Sequence, residues 1–587
     1  EHLPDWPVHG TTGYDFSRLV DGLFVDQRAA ARMERVYSSF VGHPVDFERL
    51  LYSSKRLIMR VALASELNVL ASMLGRISDS DRHTRDFTLN SLREAIREVV
   101  ACFPVYRTYI TADGLSEDDV THIYWAVKLA RKRTRTADVS VFDFFRAVLL
   151  LENSGERSEE FIRDARNFAM KLQQFTSPVT AKGLEDTAFY IYNRLISLNE
   201  VGSDPSRFGV SVQAFHHANM ERVKRWPHSM LATSTHDSKR AADVRMRINV
   251  LSEIPGEWKA RIGRWSKLNE KNKRKVDGKL APGRNDEYML YQTLVGSWPL
   301  GEMDDKAMAR FSERMVAYMV KAAREAKVHM SWINPNQQYE DALVEFVKAT
   351  LNRGRKIFVE DMTAFLKKVS RLGLYNSLSQ TLLKLMSPGV PDIYQGDEIW
   401  NLSLVDPDNR RPVDYGLRRE MLDGIKSRAA AGTGGPIPFV REMLENIGDG
   451  RAKLYLIWRI LSLRKRHERL FRDGDYNKLA AEGNRGSHLC VFSRTHQGIS
   501  IIAVAPRLLA KLLKEPDDLP VGPDVWQGTL IELPPDGPDG TGEYVNALTG
   551  EKVSSVDIDG KLWLRAEEVL AEFPVAVVMP QAALGAE

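Results

Sequence analysis

Cysteine is nearly absent: Cys102 and Cys490 are the only two in 587 residues, which excludes a disulfide scaffold and any multi-cysteine metal cluster. No apolar stretch is long enough to span a bilayer, so no membrane partner is expected. An excess of one charge is missing too, since Lys+Arg 82 against Asp+Glu 78 leaves only +4. A polyanion is therefore not the default partner, and no nucleic acid is expected. The basic segment 271–275 reads as a solvated loop, because Asp277, Asp286 and Glu287 interrupt its charge. The opening residues lack the basic start and apolar core of a signal peptide, which makes the cytoplasm the expected compartment. No GxxxxGK(S/T) loop, strand-borne GxGxxG or HExxH is present. Neither His216-His217 nor His236 has metal-site spacing, so no metal and no cofactor are expected.

What is present suits a large folded chain. A composition of 43% hydrophobic and 9% aromatic residues can bury a sizeable core. Over 50–103 the apolar spacing is helical, with Leu57, Val61, Ala64 and Leu67 in one run and Leu89, Leu92, Ile96 and Val99 in another. Pro104 closes this stretch, and the β-branched and aromatic residues of 105–110 predict a strand. Ser116 with Asp119 three residues on predicts a weakened capping box, and helical spacing returns over 139–175. Segment 230–235 predicts a buried strand ending in His236-Asp237, followed at once by a helix through Val244, Ile248 and Leu251. Segment 390–394 repeats the arrangement and ends in Asp397-Glu398. Strands alternating with helices, with polar clusters at the strand ends, predict parallel α/β units whose carboxyl ends form the active face of a barrel. Beyond the helical run 454–463, the short strand-like segments 489–494, 499–504 and 573–579, with a Pro/Gly cluster at 534–540, predict a small all-β domain.

His236-Asp237 is the sharpest chemical feature. A lone dipeptide of this kind reads first as a strand-end pair bonding nearby backbone. Its surroundings are richer, because a carboxylate and an imidazole beside the cations Lys239 and Arg240 suit a polyhydroxyl ligand.

Four segments carry a family resemblance. ATSTHDSKRAADVRMR, from Ala232, is similar to the fourth signature region of the α-amylase superfamily, glycoside hydrolase family 13. SPGVPDIYQGDEIWNLSLVDPDNRRPVDY, from Ser387, resembles that superfamily's eighth-strand region and the loop after it. DWPVHGTTGYDF, from Asp5, and SPVTAKGLEDTAFYIYNRLISLNEVGSDP, from Ser177, resemble the maltooligosyltrehalose synthase family within it. The resemblance implies α/β architecture: the C-terminal part of a (β/α)8 TIM-type barrel with large helical insertions, plus a C-terminal all-β domain. The barrel part is expected over 1–430, with insertions near 30–100, 115–175 and 255–355. A helical connection follows over 431–472, and a β-sandwich-like domain over 473–587.

The same resemblance implies a reaction. A maltooligosaccharide has its reducing-end α-1,4 bond rearranged to an α,α-1,1 bond, with retention through a double displacement. Asp237 resembles the transition-state-stabilising aspartate, and His236 the histidine that bonds sugar hydroxyls. Lys239, Arg240, Tyr14, Asp15, Arg107, Tyr109, Lys182, Glu185, Asp186, Tyr190, Arg194 and Glu200 are the candidates for binding substrate; each also has a scaffold reading. Asp397 and Glu398 are expected to organise the eighth-strand loop, and Trp6 and Trp400 either to stack on sugars or to pack.

The nucleophile Asp and the acid/base Glu have no counterpart in the sequence, since the GTTGYDF motif that follows the acid/base already starts at Gly10. The expectation is a C-terminal portion, inactive alone, whose partner is the missing N-terminal portion. A trehalose-releasing hydrolase is the pathway partner that the resemblance suggests. Two alternatives stand beside this: a non-catalytic maltodextrin-binding remnant, and another family 13 hydrolase or glucanotransferase.

Overall fold

A computed structural model describes residues 6–112, 114–134, 139–152, 157–352, 354, 356–431, 436–534 and 543–583. Asp5 of the first motif and residues 535–540 of the Pro/Gly cluster lie outside the described residues. The chain divides into two compact units: Val45–Tyr192 and Ala322–Pro335 with Trp6 form one, and Pro7–Pro44, Asn193–Lys321 and Asn336–Glu587 the other.

The first unit is helical. Phe47–Val61, Ala64–Asp79, Leu89–Ala101, Glu117–Arg133, Val139–Leu149 and Glu159–Thr180 pack around Leu70, Leu74, Leu92, Ile96, Phe145 and Phe168, all nearly or fully buried. Four of these helices start on a side chain that accepts a first-turn N–H: Asp46, Thr88, Ser116 and Ser158. Each such cap contributes about 1 kcal/mol by satisfying a donor that the helix itself leaves open. The capping box is complete: Ser116 Oγ accepts from Asp119 N–H, and Asp119 Oδ2 accepts from Ser116 N–H, each at 3.1 Å.

Two expectations need correction here. The run through Leu57 and Leu67 is two helices, not one, bent by 87° between Val61 and Ala64. The N–H groups of Ala62 and Leu63 both donate to Ile58 O, which ends the first helix without Gly or Pro and leaves Val61 exposed. The segment 105–110 forms no strand: residues 105 and 106 lie in a bend, and 107–110 belong to no ladder. Side chains satisfy its backbone instead: Asp119 accepts from Tyr109 N–H at 2.9 Å, while Gln173 accepts from Ile110 N–H and donates to Ile110 O. β-propensity describes a half-buried pleated surface, and helices can supply that surface without a ladder.

The second unit holds one parallel pair, Met230–Leu231 with Val390–Pro391, in the register Met230 to Val390 and Leu231 to Pro391. On the other edge, Thr11 O accepts Met230 N–H at 3.3 Å. The ladder is shorter than 230–235 and 390–394 predict. Beyond Leu231 the backbone is claimed by side chains, with Arg245 donating to Thr233 O and Ser238 Oγ accepting from Thr235 N–H. The helix expected after His236-Asp237 is Ala242–Asn249, and all eight of its residues are buried. It packs against Arg284–Ser297 and the 31-residue helix Lys356–Met386. The basic segment 271–275 runs into a hairpin, Arg274–Val276 with Lys279–Ala281. There Lys273 is buried and paired to Glu287 at 2.7 Å.

Past helix Arg451–Arg466 the chain builds two antiparallel sheets. One has six strands in the order Lys552–Val553, Tyr544–Asn546, Ala576–Pro580, Ile499–Pro506, Leu489–His496 and Asp475–Lys478. The other runs Ser555–Ile558, Lys561–Arg565, Thr529–Glu532 and Ala481–Gly483. No single helix among the described residues is long and apolar enough to cross a membrane.

Candidate active site

The His236-Asp237 loop follows the parallel pair and is fixed from several directions. Behind it, Gly13 adopts φ +96° and lies against the strand, where a Cβ would meet Ala232 N at 2.5 Å. Only glycine combines that backbone conformation with so close an approach. The next residue, Tyr14, places its hydroxyl 3.2 Å from Thr235 Oγ1. Thr235 in turn accepts Asp237 N–H at 3.2 Å. Asn409 donates to His236 O at 3.1 Å and to Thr235 O at 3.5 Å, and Tyr394 donates its hydroxyl to Asn409 O.

The far side of the loop rests on a buried charged frame. Glu200 is 2% exposed, and its carboxylate accepts Lys239 N–H at 2.8 Å, Arg240 N–H at 3.2 Å and Val201 N–H at 3.0 Å. Arg245, fully buried, bridges Glu200 at 3.3 Å and Asp21 at 2.7 Å and donates to Arg240 O. Burial pulls against the Arg245 charge, but Asp21 and Glu200 outweigh it and hold its pKa above the ordinary value. Lys384 donates to Thr233 Oγ1 at 3.0 Å, and its burial lowers the ammonium pKa to about 8.

Against this background two side chains stand out in water. His236 and Asp237 are 62% and 56% exposed, with His236 Nε2 3.1 Å from Asp237 Oδ2. Chemically the loop offers an exposed carboxylate and imidazole on a backbone that cannot easily shift. Among the described residues no group of three His, Cys, Asp or Glu side chains could hold a metal ion.

The other candidates fall into three groups. In the second unit, Tyr14 reaches the loop through Thr235, while Asp15 accepts from Thr11 Oγ1 at 2.8 Å and pairs with Arg222 at 3.1 Å. Lys239, Arg240, Arg194 and Glu200 are buried, and their bonds hold the surrounding backbone and side chains. Arg240 donates to Tyr318 Oη at 2.7 Å, and Arg194 donates to Pro205 O at 2.7 Å and lies over the Phe208 ring. Asp397 is buried and accepts from Asn401 at 2.7 Å; burial first, and Asp243 against the pull of Lys453, raise its pKa. Glu398 pairs with Arg418 at 2.9 Å, and Trp400 packs by donating to Ile447 O at 2.6 Å.

The remaining candidates lie in the first unit. Ala181–Glu185 forms a π-helical turn, a feature frequent at functional sites. It carries Lys182, paired to Asp186 at 2.8 Å, and Glu185, which accepts the Tyr106 hydroxyl. Tyr190 is buried nearby in sequence, and Arg107 stacks over the Tyr109 ring at 4.9 Å, with Trp6 edge-on to that ring at 5.3 Å. Sequence reasoning missed Asn409, Asp21 and Arg245. Asn409 sits inside the quoted DPDNRRP segment, and its polar run was the available signal.

No family model matches the chain. Over 98% of its length, however, the chain is similar to proteins described as maltooligosyl trehalose synthases. One curated relative is a putative maltooligosyl trehalose synthase of Mycobacterium tuberculosis, 30% identical over 580 residues. Among solved structures, maltooligosyltrehalose synthase from Arthrobacter ramosus is 29% identical with a TM-score of 0.78, covering 99% of this chain and 65% of that one. A further structure of a maltooligosyl trehalose synthase is 30% identical with a TM-score of 0.71, covering 99% and 64%. The chain spans 63% of the length of the curated relatives it matches.

Proposed function

We propose that this chain supplies the transition-state-stabilising part of a glucan 1-α-glucosylmutase of trehalose biosynthesis. That enzyme is an isomerase that moves the reducing-end α-1,4 bond of a maltooligosaccharide to an α,α-1,1 bond. The observation that carries the reading is Asp237, an exposed carboxylate on a loop whose neighbouring charges, Lys239, Arg240 and Glu200, are all buried. A carboxylate fixed beside a sugar ring stabilises positive charge developing at the anomeric carbon, and costs no reorganisation when the charge appears. His236 beside it donates to a ring hydroxyl. Released glucose, not water, has to capture the glycosyl-enzyme, so the reducing-end pocket must hold glucose and shed solvent. Tyr14 and Asp15 are our candidates for that pocket; Lys182, Glu185, Asp186, Tyr190, Arg107 and Tyr109, in the first unit, are separate candidates for contacting substrate.

In this reading the parallel pair and the loop at its end are part of a (β/α)8 barrel. A retaining enzyme needs a nucleophile and an acid/base about 5–5.5 Å apart. We assign both to the portion that the relatives carry beyond the matched 63%. The enzyme acts in the cytoplasm, ahead of a hydrolase that releases trehalose.

The test uses maltopentaose. The 587-residue chain alone leaves reducing ends unchanged, whereas joined to the unmatched portion of the Arthrobacter ramosus enzyme it consumes them at constant oligosaccharide size. In that joined protein Asp237→Asn lowers turnover by roughly 10²–10³ with little change in KM. Undiminished turnover in Asp237→Asn would remove the assignment. In the joined protein, binding of maltopentaose without loss of reducing ends marks a maltodextrin-binding protein instead, and new reducing ends mark a hydrolase.

A further inference from the structure

In the second unit a cavity of about 300 Å³ opens beside helix Tyr14–Gly22. Its chemistry differs from that of the His236-Asp237 loop, because its wall carries two guanidinium groups, Arg18 and Arg207. Arg18 is half-buried and has no hydrogen bond and no carboxylate within ion-pair distance among the described residues. Burial first, and the like charge of Arg207 second, lower its pKa, while Asp15 and Asp204 act on it only at longer range.

The carboxylates nearby are already committed. Asp204 lies 3.4 Å from Arg207 Nε, but it also accepts Ser206 N–H at 3.0 Å and Ser206 Oγ–H at 2.6 Å. Asp21, in the buried wall, is held by Arg245 at 2.7 Å and by Gln380. An independent observation points to a missing acceptor. Ser197 lines the cavity, is 2% exposed, and its hydroxyl has no partner among the described residues. A buried hydroxyl left unpaired is costly, and a ligand oxygen would recover that cost. The 14-residue helix Val212–Arg225 begins at its cap Ser211 in the same wall, so the positive end of its dipole faces the same space.

We propose that this cavity binds a small oxyanion of the phosphate class, either free phosphate or the phosphate of a sugar ester. Arg18 and Arg207 present planar forks that match phosphate oxygens, and Ser197 donates its hydroxyl. The volume admits both sources.

Isothermal titration of the 587-residue chain with inorganic phosphate, and separately with glucose 6-phosphate, tests the idea. Saturable binding is expected from at least one probe, undisturbed by saturating maltopentaose. It weakens by roughly tenfold or more in Arg18→Gln, since a charge-assisted hydrogen bond is lost. Tighter binding of the ester supports a sugar phosphate as occupant, and equal affinity supports free phosphate. Arg18 makes no ion pair, so Arg18→Gln should melt with the unsubstituted protein; Arg207→Gln, at a mostly exposed side chain, is the second variant. Absence of saturable binding for both probes, or unchanged affinity in both variants, overturns the proposal.

Discussion

The carboxylate of Glu200 accepts the main-chain N–H of Lys239 at 2.8 Å and of Arg240 at 3.2 Å, so one buried side chain serves as a strand would for the residues after Asp237. It also shares Arg245 with Asp21, which makes Arg245 the middle member of a buried ionic trio. Glu200→Ala would leave three amides, those of Val201, Lys239 and Arg240, and part of a guanidinium without acceptors. Breaking a buried pair this way costs about 3–5 kcal/mol. Urea denaturation should show that loss, and a change under about 1 kcal/mol would mean the frame is not what holds the loop.

Asn409 predicts a smaller and more local effect. Its amide ties His236 O and Thr235 O, while its own Oδ1 is buried without a partner among the described residues. Asn409→Ala removes those ties at a net cost of about 1–2 kcal/mol. Hydrogen exchange over 235–238 should quicken, while exchange in helix Lys356–Met386 stays as it was.

Gly13 gives a steric prediction. Gly13→Ala puts a Cβ 2.5 Å from Ala232 N at φ +96°, a clash with backbone that no rotamer relieves. Loss of about 2 kcal/mol or more is expected in thermal or urea melts. A neutral Gly13→Ala would show that the approach to the strand is looser than it looks.

The pH dependence of stability is set in part by Glu253. It is buried, takes Ala510 N–H at 2.8 Å, and its second oxygen has no partner among the described residues. Burial pushes its pKa from 4.5 up to about 8, so the folded chain holds a proton that the unfolded chain releases. The contribution is whole below pH 4.5, declines as pH rises, and is gone once pH passes about 8. Glu253→Gln keeps the acceptor for Ala510 and cannot ionise. Its stability should therefore fall less than that of the parent between pH 5 and 8, by chemical denaturation; parallel curves would refute the assignment.

Local rules were legible where both partners lie close in the chain. Ser116 and Asp119 are three residues apart, and the box they form was readable from residue type alone. His236-Asp237 was readable because a buried run ends on two polar residues that a core would not accept. The frame was not readable, since Asp21, Glu200 and Arg245 meet across up to 224 residues and no spacing rule reaches that far. Segment 105–110 misled for a related reason: its alternation is real, but Gln173 and Asp119 pair with it in place of a strand. The break at Ala62 carries no glycine or proline, so the apolar spacing ran straight through it. The surroundings of Arg240 were not readable either, since Asn199 and Tyr318, which bond its guanidinium, lie 41 and 78 residues away.

Helix Ala242–Asn249 has no outward side, arginines included. A surface helix such as Phe47–Val61 keeps positions where neutral change can accumulate. Here every substitution is felt by a neighbour, so saturation mutagenesis should return eight consecutive intolerant positions in place of a periodic stripe. Such a segment can change only in concert with its neighbours, and the loop tethered to it inherits that constraint.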